Sequence, residues 1–279
     1  YWPVTAFLIK NSDVFKASLE KKNGKKFLPA NEAEAKGVVD EVKDQPFLTT
    51  KVKRSTTKSH APAPFTTSTM QQDALNKAGL SIKRTTAAAQ QLYEGVEIAG
   101  EGKLALITYI RTDSTRVSVD AQNACREFAR KMYGDKFVPE KPNIYAKKAN
   151  AQDAHEAIRP INMNITPEKV KASLSPDNYK LYKLIYERFL ASQMSDAIYS
   201  NVTANFSAKD YEFKAVGKTM EFAGYTAAYK EFEGDEKQEI SKLPVLDEGE
   251  RLPAKEVKTE QKFTKPPARY TEASLVKAM

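Results

Sequence analysis

The sequence is poor in cysteine and histidine. Its 279 residues hold one cysteine, Cys125, and two histidines. A single thiol closes no internal disulfide and builds no Cys-rich zinc site, and it fits a reducing, cytoplasmic setting. With Val119, Ala121 and Phe128 nearby at helical spacing, Cys125 reads as a small buried hydrophobe. Nowhere do about eighteen apolar residues run together, so no membrane-spanning helix is expected. The opening YWPVTAFLIKNSD has neither a basic leader nor a small-residue cleavage site. It also lacks an initiator methionine, and the closing TEASLVKAM stops within a helical pattern. A piece of a longer chain is therefore expected. A nucleotide phosphate loop is excluded as well. Five residues on from Gly95 comes Gly100, then Glu101, which breaks the GxxxxGK[ST] spacing despite Gly102-Lys103. The simplest route to ATP-driven chemistry goes with it.

What is abundant is positive charge. Lysine and arginine number 44 against 36 acids, giving a net charge of +8 and a pI near 9.2. That surplus favours a polyanionic partner. A hydrophobic content of 41% with 29% charged residues fits a folded chain, and the length fits about two domains.

Residues 1 to about 65 read as β-structure. Val4-Thr5-Ala6-Phe7-Leu8-Ile9 and Phe47-Leu48-Thr49-Thr50-Lys51-Val52 are strand candidates. Between them NEAEAKGVVDEVKD predicts a helix from Asn31, with Ala33, Val38, Val39 and Val42 on one side. Lys51 to Lys58 alternates basic residues with threonine and serine. It can lie along a phosphate backbone or serve as an edge strand guarded by charge. His60-Ala61-Pro62-Ala63-Pro64 is an extended connector.

From Phe65 the period becomes helical. Ser68 is a candidate cap for a helix carrying Met70, Ala74, Leu75 and Ala78 and ended by Gly79. RTTAAAQQLYEG forms another. Ser118 caps VDAQNACREFARKMYG, whose apolar side is read as Val119, Cys125, Phe128, Ala129 and Met132. In AQDAHEAIRP, helical spacing groups Asp153, His155, Glu156 and Arg159 ahead of Pro160. Thr166-Pro167-Glu168 and Ser175-Pro176-Asp177 are two more helix starts. The second opens a long helix with Tyr179, Tyr182, Leu184, Ile185 and Phe189 facing a core. After Met194 the strand period returns in IYSNVTANFSA, EFKAVG, MEFAGYTAAY and AKEVKTEQKF. Thr271 then caps a last helix. The fold class is α+β, with a helical block of about 130 residues inserted between two β-rich flanks that build one domain.

One stretch invites chemistry, Leu106–Ser118, LITYIRTDSTRVS. Tyr109 stands beside Arg111, which can grip a phosphate bidentately, amid Thr108, Thr112, Asp113 and Ser114. Tyr109 reads either as a nucleophile toward a phosphodiester or as a strand-end tyrosine before a Ser/Thr-rich turn. Residue chemistry alone leaves both open.

Three stretches in order, ITYIRTDST, QDAHEAIRP and FTKPPARYTEASLVKAM, resemble type IA DNA topoisomerases, most of all their bacterial topoisomerase I branch. HAPAPFTTSTMQQDA and AQQLYEG resemble the segments preceding the catalytic tyrosine of that family. The resemblance covers most of residues 60–160 and the last 17. Thr86 departs from it, standing where the family commonly has methionine, and is read as a packing change.

The resemblance implies a β-rich arch domain from residues 1–65 and 197–264, an all-α domain over 66–196 carrying the catalytic tyrosine, and the start of a helical base domain at 265–279. It implies ATP-independent relaxation of negatively supercoiled DNA by single-strand cleavage through a 5′-phosphotyrosyl link, strand passage and religation. Tyr109 would be the nucleophile, Arg111 the phosphate clamp, and Asp113 and His155 the organisers, with His155 hydrogen-bonding near the phosphate or to Asp113. Arg159 would support the site or pair with Asp153 or Glu156. Thr108, Thr112 and Ser114 would support the site, the last two as caps or phosphate donors, since no base sits at triad-like spacing. Magnesium would be bound by a Toprim domain outside this chain, so the chain alone is expected not to cleave. Expected partners are single-stranded and negatively supercoiled DNA and the rest of the same polypeptide, in the cytoplasm of a bacterium at its nucleoid. A non-catalytic DNA-binding module is the alternative.

Overall fold

A computed structural model describes residues 1–145, 155–230 and 242–278. In chain order its strands and helices are β1 (Val4–Lys10), β2 (Asp13–Lys22), β3 (Lys25–Lys26), α1 (Glu32–Val42), β4 (Phe47–Ser59), α2 (Thr67–Ala78) and α3 (Ile82–Glu94). There follow β5 (Val96–Ile98), β6 (Gly102–Leu104), α4 (Val119–Tyr133), α5 (Pro167–Val170) and α6 (Pro176–Ser192). The last are β7 (Ala197–Ala208), β8 (Tyr211–Phe222), β9 (Arg251–Leu252), β10 (Ala254–Thr259) and α7 (Glu272–Ala278). The mixed α+β class holds. The chain divides into two compact units. One comprises 1–58, 198–221 and 238–267, and the other 59–197, 222–237 and 268–279.

The first unit is a curled sheet in the order β10-β1-β2-β8-β7-β4-β9, with β3 beside β2. Both ends of that path are one stretch of chain, broken at Pro253, whose carbonyl accepts Ile9 N–H at 3.0 Å. The stretch pairs Leu252 with Phe47 on one side and Val257 with Ala6 on the other, so the sheet nearly closes on itself. Period-two alternation turns Val4, Ala6 and Leu8, Phe15, Ala17 and Leu19, and Ala204, Phe206 and Ala208 inward. Phe47 meets Phe213 edge-on at 5.1 Å. α1, capped by Asn31, adds Ala35, Val38 and Val42 to this core. Ala35, not Ala33, completes its apolar face, because only spacings of three and four align on a helix.

The second unit is mainly helical, with a two-stranded β5–β6 hairpin. Gly100, at φ 82, lies in the turn of that hairpin, and Gly102, at φ 76, opens β6. α2 starts two residues earlier than a Ser68 cap requires, since Thr66 forms a reciprocal capping box with Thr69. The run TTST offers several cap-competent residues. The choice is made at a distance, by Thr67 N–H bonding Thr112 O at 2.9 Å. α4 also differs from its expected face. Val119 and Met132 are 68% and 61% exposed, while Arg126 is buried with Cys125 and Ala129. The Arg126 guanidinium donates to the carbonyls of Pro139 and Glu140 at 2.7 and 3.0 Å, and burial lowers its pKa. Burial likewise drives the Cys125 thiol pKa upward, leaving it un-ionised. Thr86 is exposed and donates to Ile82 O at 2.9 Å, so it does not alter core packing. In MEFAGYTAAY, only Met220-Glu221-Phe222 is strand, ahead of a 3₁₀ turn over Gly224–Ala227.

α6 carries a titratable group with a testable consequence. Burial of Glu187 raises its carboxyl above the usual range, with Lys183 at 3.7 Å opposing the shift. An acid raised in the folded state binds its proton more tightly folded than unfolded. The stability it contributes is therefore present at low pH and lost as pH rises through the folded value. Glu187→Gln should raise the melting temperature at neutral pH, with the gain shrinking as pH falls through the raised folded value and gone by about pH 4. Thermal melts of both proteins across that range give the answer; a lower melting point for the variant at pH 7 would contradict it.

Candidate active site around Tyr109

Residues 105–118 form neither a regular strand nor a helix. They are held by two distant segments. Leu106 N–H reaches Leu92 O at 2.8 Å, and Ile161 N–H reaches Leu106 O at 3.0 Å. Thr108 N–H donates to Arg159 O at 3.0 Å, its hydroxyl to Ala157 O at 2.7 Å, and Arg159 N–H returns a bond to that hydroxyl at 3.0 Å. Thr108 thus supports the site through the backbone.

The helix expected over AQDAHEAIRP is absent from its described part. Residues 155–160 are extended, with Ile158 bridged to Phe65 and Pro160 to Ile107. Pro160 disfavours helical geometry at Arg159, and the two bridges satisfy backbone groups that a helix would otherwise pair internally. Asp153 lies outside the described residues.

Beyond Thr108 the chain alternates. Ile110, Thr112 and Ser114 are buried, while Tyr109, Arg111 and Asp113 face solvent. An extended run has a side-chain period of two, which separates the chemistry-bearing residues from those that hold the backbone. Thr112 Oγ1 accepts Ser114 N–H at 3.0 Å, and Ser114 Oγ accepts Arg116 N–H at 3.1 Å. Both hydroxyls therefore serve local turns and do not cap a helix. Thr67 ties this run to α2. Its hydroxyl donates to Ile110 O at 2.7 Å and accepts Thr112 N–H at 2.9 Å. Thr67→Val keeps the shape and removes the hydroxyl, leaving those groups unpaired at a cost of about 1–3 kcal/mol. Urea unfolding should record that loss; an unchanged midpoint would count against the clamp.

Tyr109, 39% exposed, has its ring flanked by two others. Tyr93, at the end of α3, meets it edge-on with centroids 5.6 Å apart, and His155 lies 5.3 Å away at an interplanar angle of 36°. His155 thus joins the site by ring packing, and among the described residues it makes no hydrogen bond to Asp113. Arg159 is paired with Glu156, at 3.0 and 2.6 Å, and also donates to Pro160 O at 3.0 Å. Arg111 has no ion-pair partner among the described residues, so its guanidinium is available to an anion. No three His, Cys, Asp or Glu side chains converge to hold a metal among those residues, and no helix there is long and apolar enough to cross a membrane. Sequence reasoning did not mark Tyr93 or Thr67. Tyr93 returns to Tyr109 only because the β5–β6 hairpin folds the intervening chain back.

The model of a family described as DNA topoisomerase matches residues 1–279. The chain belongs to the DNA topoisomerase family. It is 43% identical over 287 residues to DNA topoisomerase 1 of Rickettsia bellii, covering all of this chain and 36% of that protein. DNA topoisomerase 1 of Xylella fastidiosa is 38% identical over 291 residues, again covering all of this chain and 36% of the relative. The solved full-length topoisomerase I of Thermotoga maritima superposes with a TM-score of 0.81 at 37% identity, covering all of this chain and 43% of that one. This family member thus spans roughly a third of the length of its curated relatives, consistent with a part of a type IA enzyme.

Proposed function

We propose that this chain supplies the nucleophile half of a type IA DNA topoisomerase active site, acting on single-stranded segments of negatively supercoiled DNA. The observation that carries the reading is Tyr109 itself, solvent-facing, flanked by Tyr93 and His155, on a backbone fixed from both sides by Thr67 and Thr108. Tyr109 Oη forms a bond to a backbone phosphorus while the P–O3′ bond breaks. The phenol gives up its proton and the departing 3′ oxygen takes one up, leaving a 5′-phosphotyrosyl link. Arg111, two residues on and on the same solvent-facing side, binds the scissile phosphate and steadies its developing charge, a contribution of about 3 kcal/mol for one well-placed donor. His155 orients the Tyr109 ring, Asp113 organises the solvent-facing side, and Arg159, held by Glu156, fixes the strand that anchors Thr108.

The covalent link conserves the phosphodiester bond, so resealing requires no ATP. Strand passage and religation belong to the complete polypeptide, in a bacterial cytoplasm at the nucleoid. Among the described residues no three His, Cys, Asp or Glu side chains converge on a site that fits magnesium, and its binding belongs to another part of the polypeptide.

The test is the polarity and position of the adduct. The complete polypeptide, with magnesium and an end-labelled single strand, is denatured during cleavage and digested. A 3′-end label should travel with the peptide containing Tyr109. Transfer of a 5′-end label, or attachment at another residue, would sink the assignment.

A further inference from the structure

The basic stretch Lys51–Lys58 belongs to the first unit, whereas Tyr109 belongs to the second. It contributes to a cleft of about 230 Å³ in the first unit, lined by Glu20, Lys21, Lys51, Lys53, Thr203, Asn205, Glu212, Phe213 and Lys214. Four neighbouring strands, β2, β8, β7 and β4, form it. Lys51 and Lys53, Thr203 and Asn205, and Glu212 and Lys214 are pairs two residues apart, and period two puts each pair on one face. The register of β2 against β8 shifts between Leu19 and Lys21, so that consecutive residues Glu20 and Lys21 both line the cleft. Irregularities of this kind re-aim a side chain.

The charges do not cancel. Lys21 pairs with Glu212 at 3.1 Å and Lys214 with Glu20 at 3.5 Å. Lys51 and Lys53 have no carboxylate partner among the described residues. Glu248, close to β4, is engaged with the backbone, accepting Val52 N–H at 2.9 Å. The cleft thus joins two unanswered ammonium groups to a hydroxyl and an amide, with no histidine or cysteine to suit a transition metal. We propose that this cleft is a phosphate subsite for a nucleic-acid backbone, with Lys51 and Lys53 as its charge contacts and Thr203 and Asn205 as neutral donors. The partner class rests on the topoisomerase reading above. The site itself is separate from Tyr109 and holds DNA without acting on it.

Binding of this chain to fluorescein-labelled single-stranded and duplex DNA, followed by anisotropy over a salt series, tests the subsite. Lys51→Gln/Lys53→Gln should weaken binding at low salt. It should flatten the slope of log K against log salt by about 1.4 for a single strand or about 1.8 for a duplex, two phosphate contacts being lost. Which of the two shows its full change identifies the strand form bound. Lys51→Arg/Lys53→Arg should restore the slope, and Lys25→Gln/Lys26→Gln, on β3, should leave it almost unchanged. An equal loss in the β3 pair would show a general field in place of a subsite and overturn the proposal. So would an unchanged slope in the β4 pair, or no DNA binding by the unaltered chain. Adduct formation at Tyr109 is read separately on the complete polypeptide, so failure of the subsite and failure of the cleavage reading are separately visible.

Discussion

Tyr109→Phe should abolish covalent adduct formation in the complete polypeptide while leaving DNA binding and folding unchanged. The substitution removes one oxygen and nothing else. The phenylalanine ring still meets Tyr93 and His155 at the observed centroid distances of 5.6 and 5.3 Å, and the Tyr109 hydroxyl has no hydrogen bond within the described residues to lose. Removing a nucleophile from a covalent mechanism costs a factor of about 10⁴ to 10⁶, so adduct should fall below detection in a denaturing gel. Thermal melts should overlay. If the variant still forms an adduct at the same yield, the nucleophile lies elsewhere. Arg111→Ala offers a graded comparison. With the nucleophile retained, cleavage should slow by about 10² to 10³-fold.

The largest effect on folding is expected at Gly224. It is buried at φ +51, and a Cβ there would stand 2.2 Å from Asp196 O and 2.5 Å from Ser195 O. Those are backbone atoms, fixed in part by Tyr225 N–H donating to Ser195 O at 2.8 Å, and no rotamer change relieves the clash. Left-handed geometry adds its own cost for any side chain. Gly224→Ala should destabilise by about 4 kcal/mol, a drop of about 10 °C in melting temperature. Gly37, within α1, is the contrast. A Cβ there meets nothing within 4 Å, so Gly37→Ala should stabilise by about 0.5–1 kcal/mol through helix propensity. Differential scanning calorimetry of the two variants should show shifts of opposite sign. Two shifts of the same sign would show that backbone conformation does not govern these sites.

The ordered motifs carried the family, and single residues carried less. In LITYIRTDSTRVS the sequence presents Tyr109, Arg111, Thr112, Asp113 and Ser114 as one polar cluster. The structure divides it by alternation, with Tyr109, Arg111 and Asp113 to solvent and Thr112 and Ser114 inside as turn acceptors. The helical spacing of His155, Glu156 and Arg159 suggests one helix face, yet those residues are extended because Phe65 and Ile107 pair with their neighbours. Arg159 had Asp153 and Glu156 as candidate partners, and among the described residues its ion pair is with Glu156. At Val119 and Met132 periodicity promised burial. The buried position went to Arg126, whose donors answer two loop carbonyls that no apolar side chain could satisfy.

By itself the sequence determined what depends on near neighbours. Helix starts at Asn31, Ser118 and Ser175 follow from side-chain oxygens bonding backbone N–H groups three residues on. Inward faces of β1, β2 and β7 follow from period two, and the absence of a phosphate loop follows from glycine spacing. Tertiary structure decided what depends on remote partners. It chose Thr66 over Ser68 as a cap, brought Tyr93 and His155 to either side of Tyr109, and curled the sheet until β9 and β10 supplied both its ends. The physical reason is that unpaired buried backbone groups are costly. Where a segment such as 105–118 cannot pair within itself, its conformation is set by whichever distant strand or hydroxyl completes its hydrogen bonds.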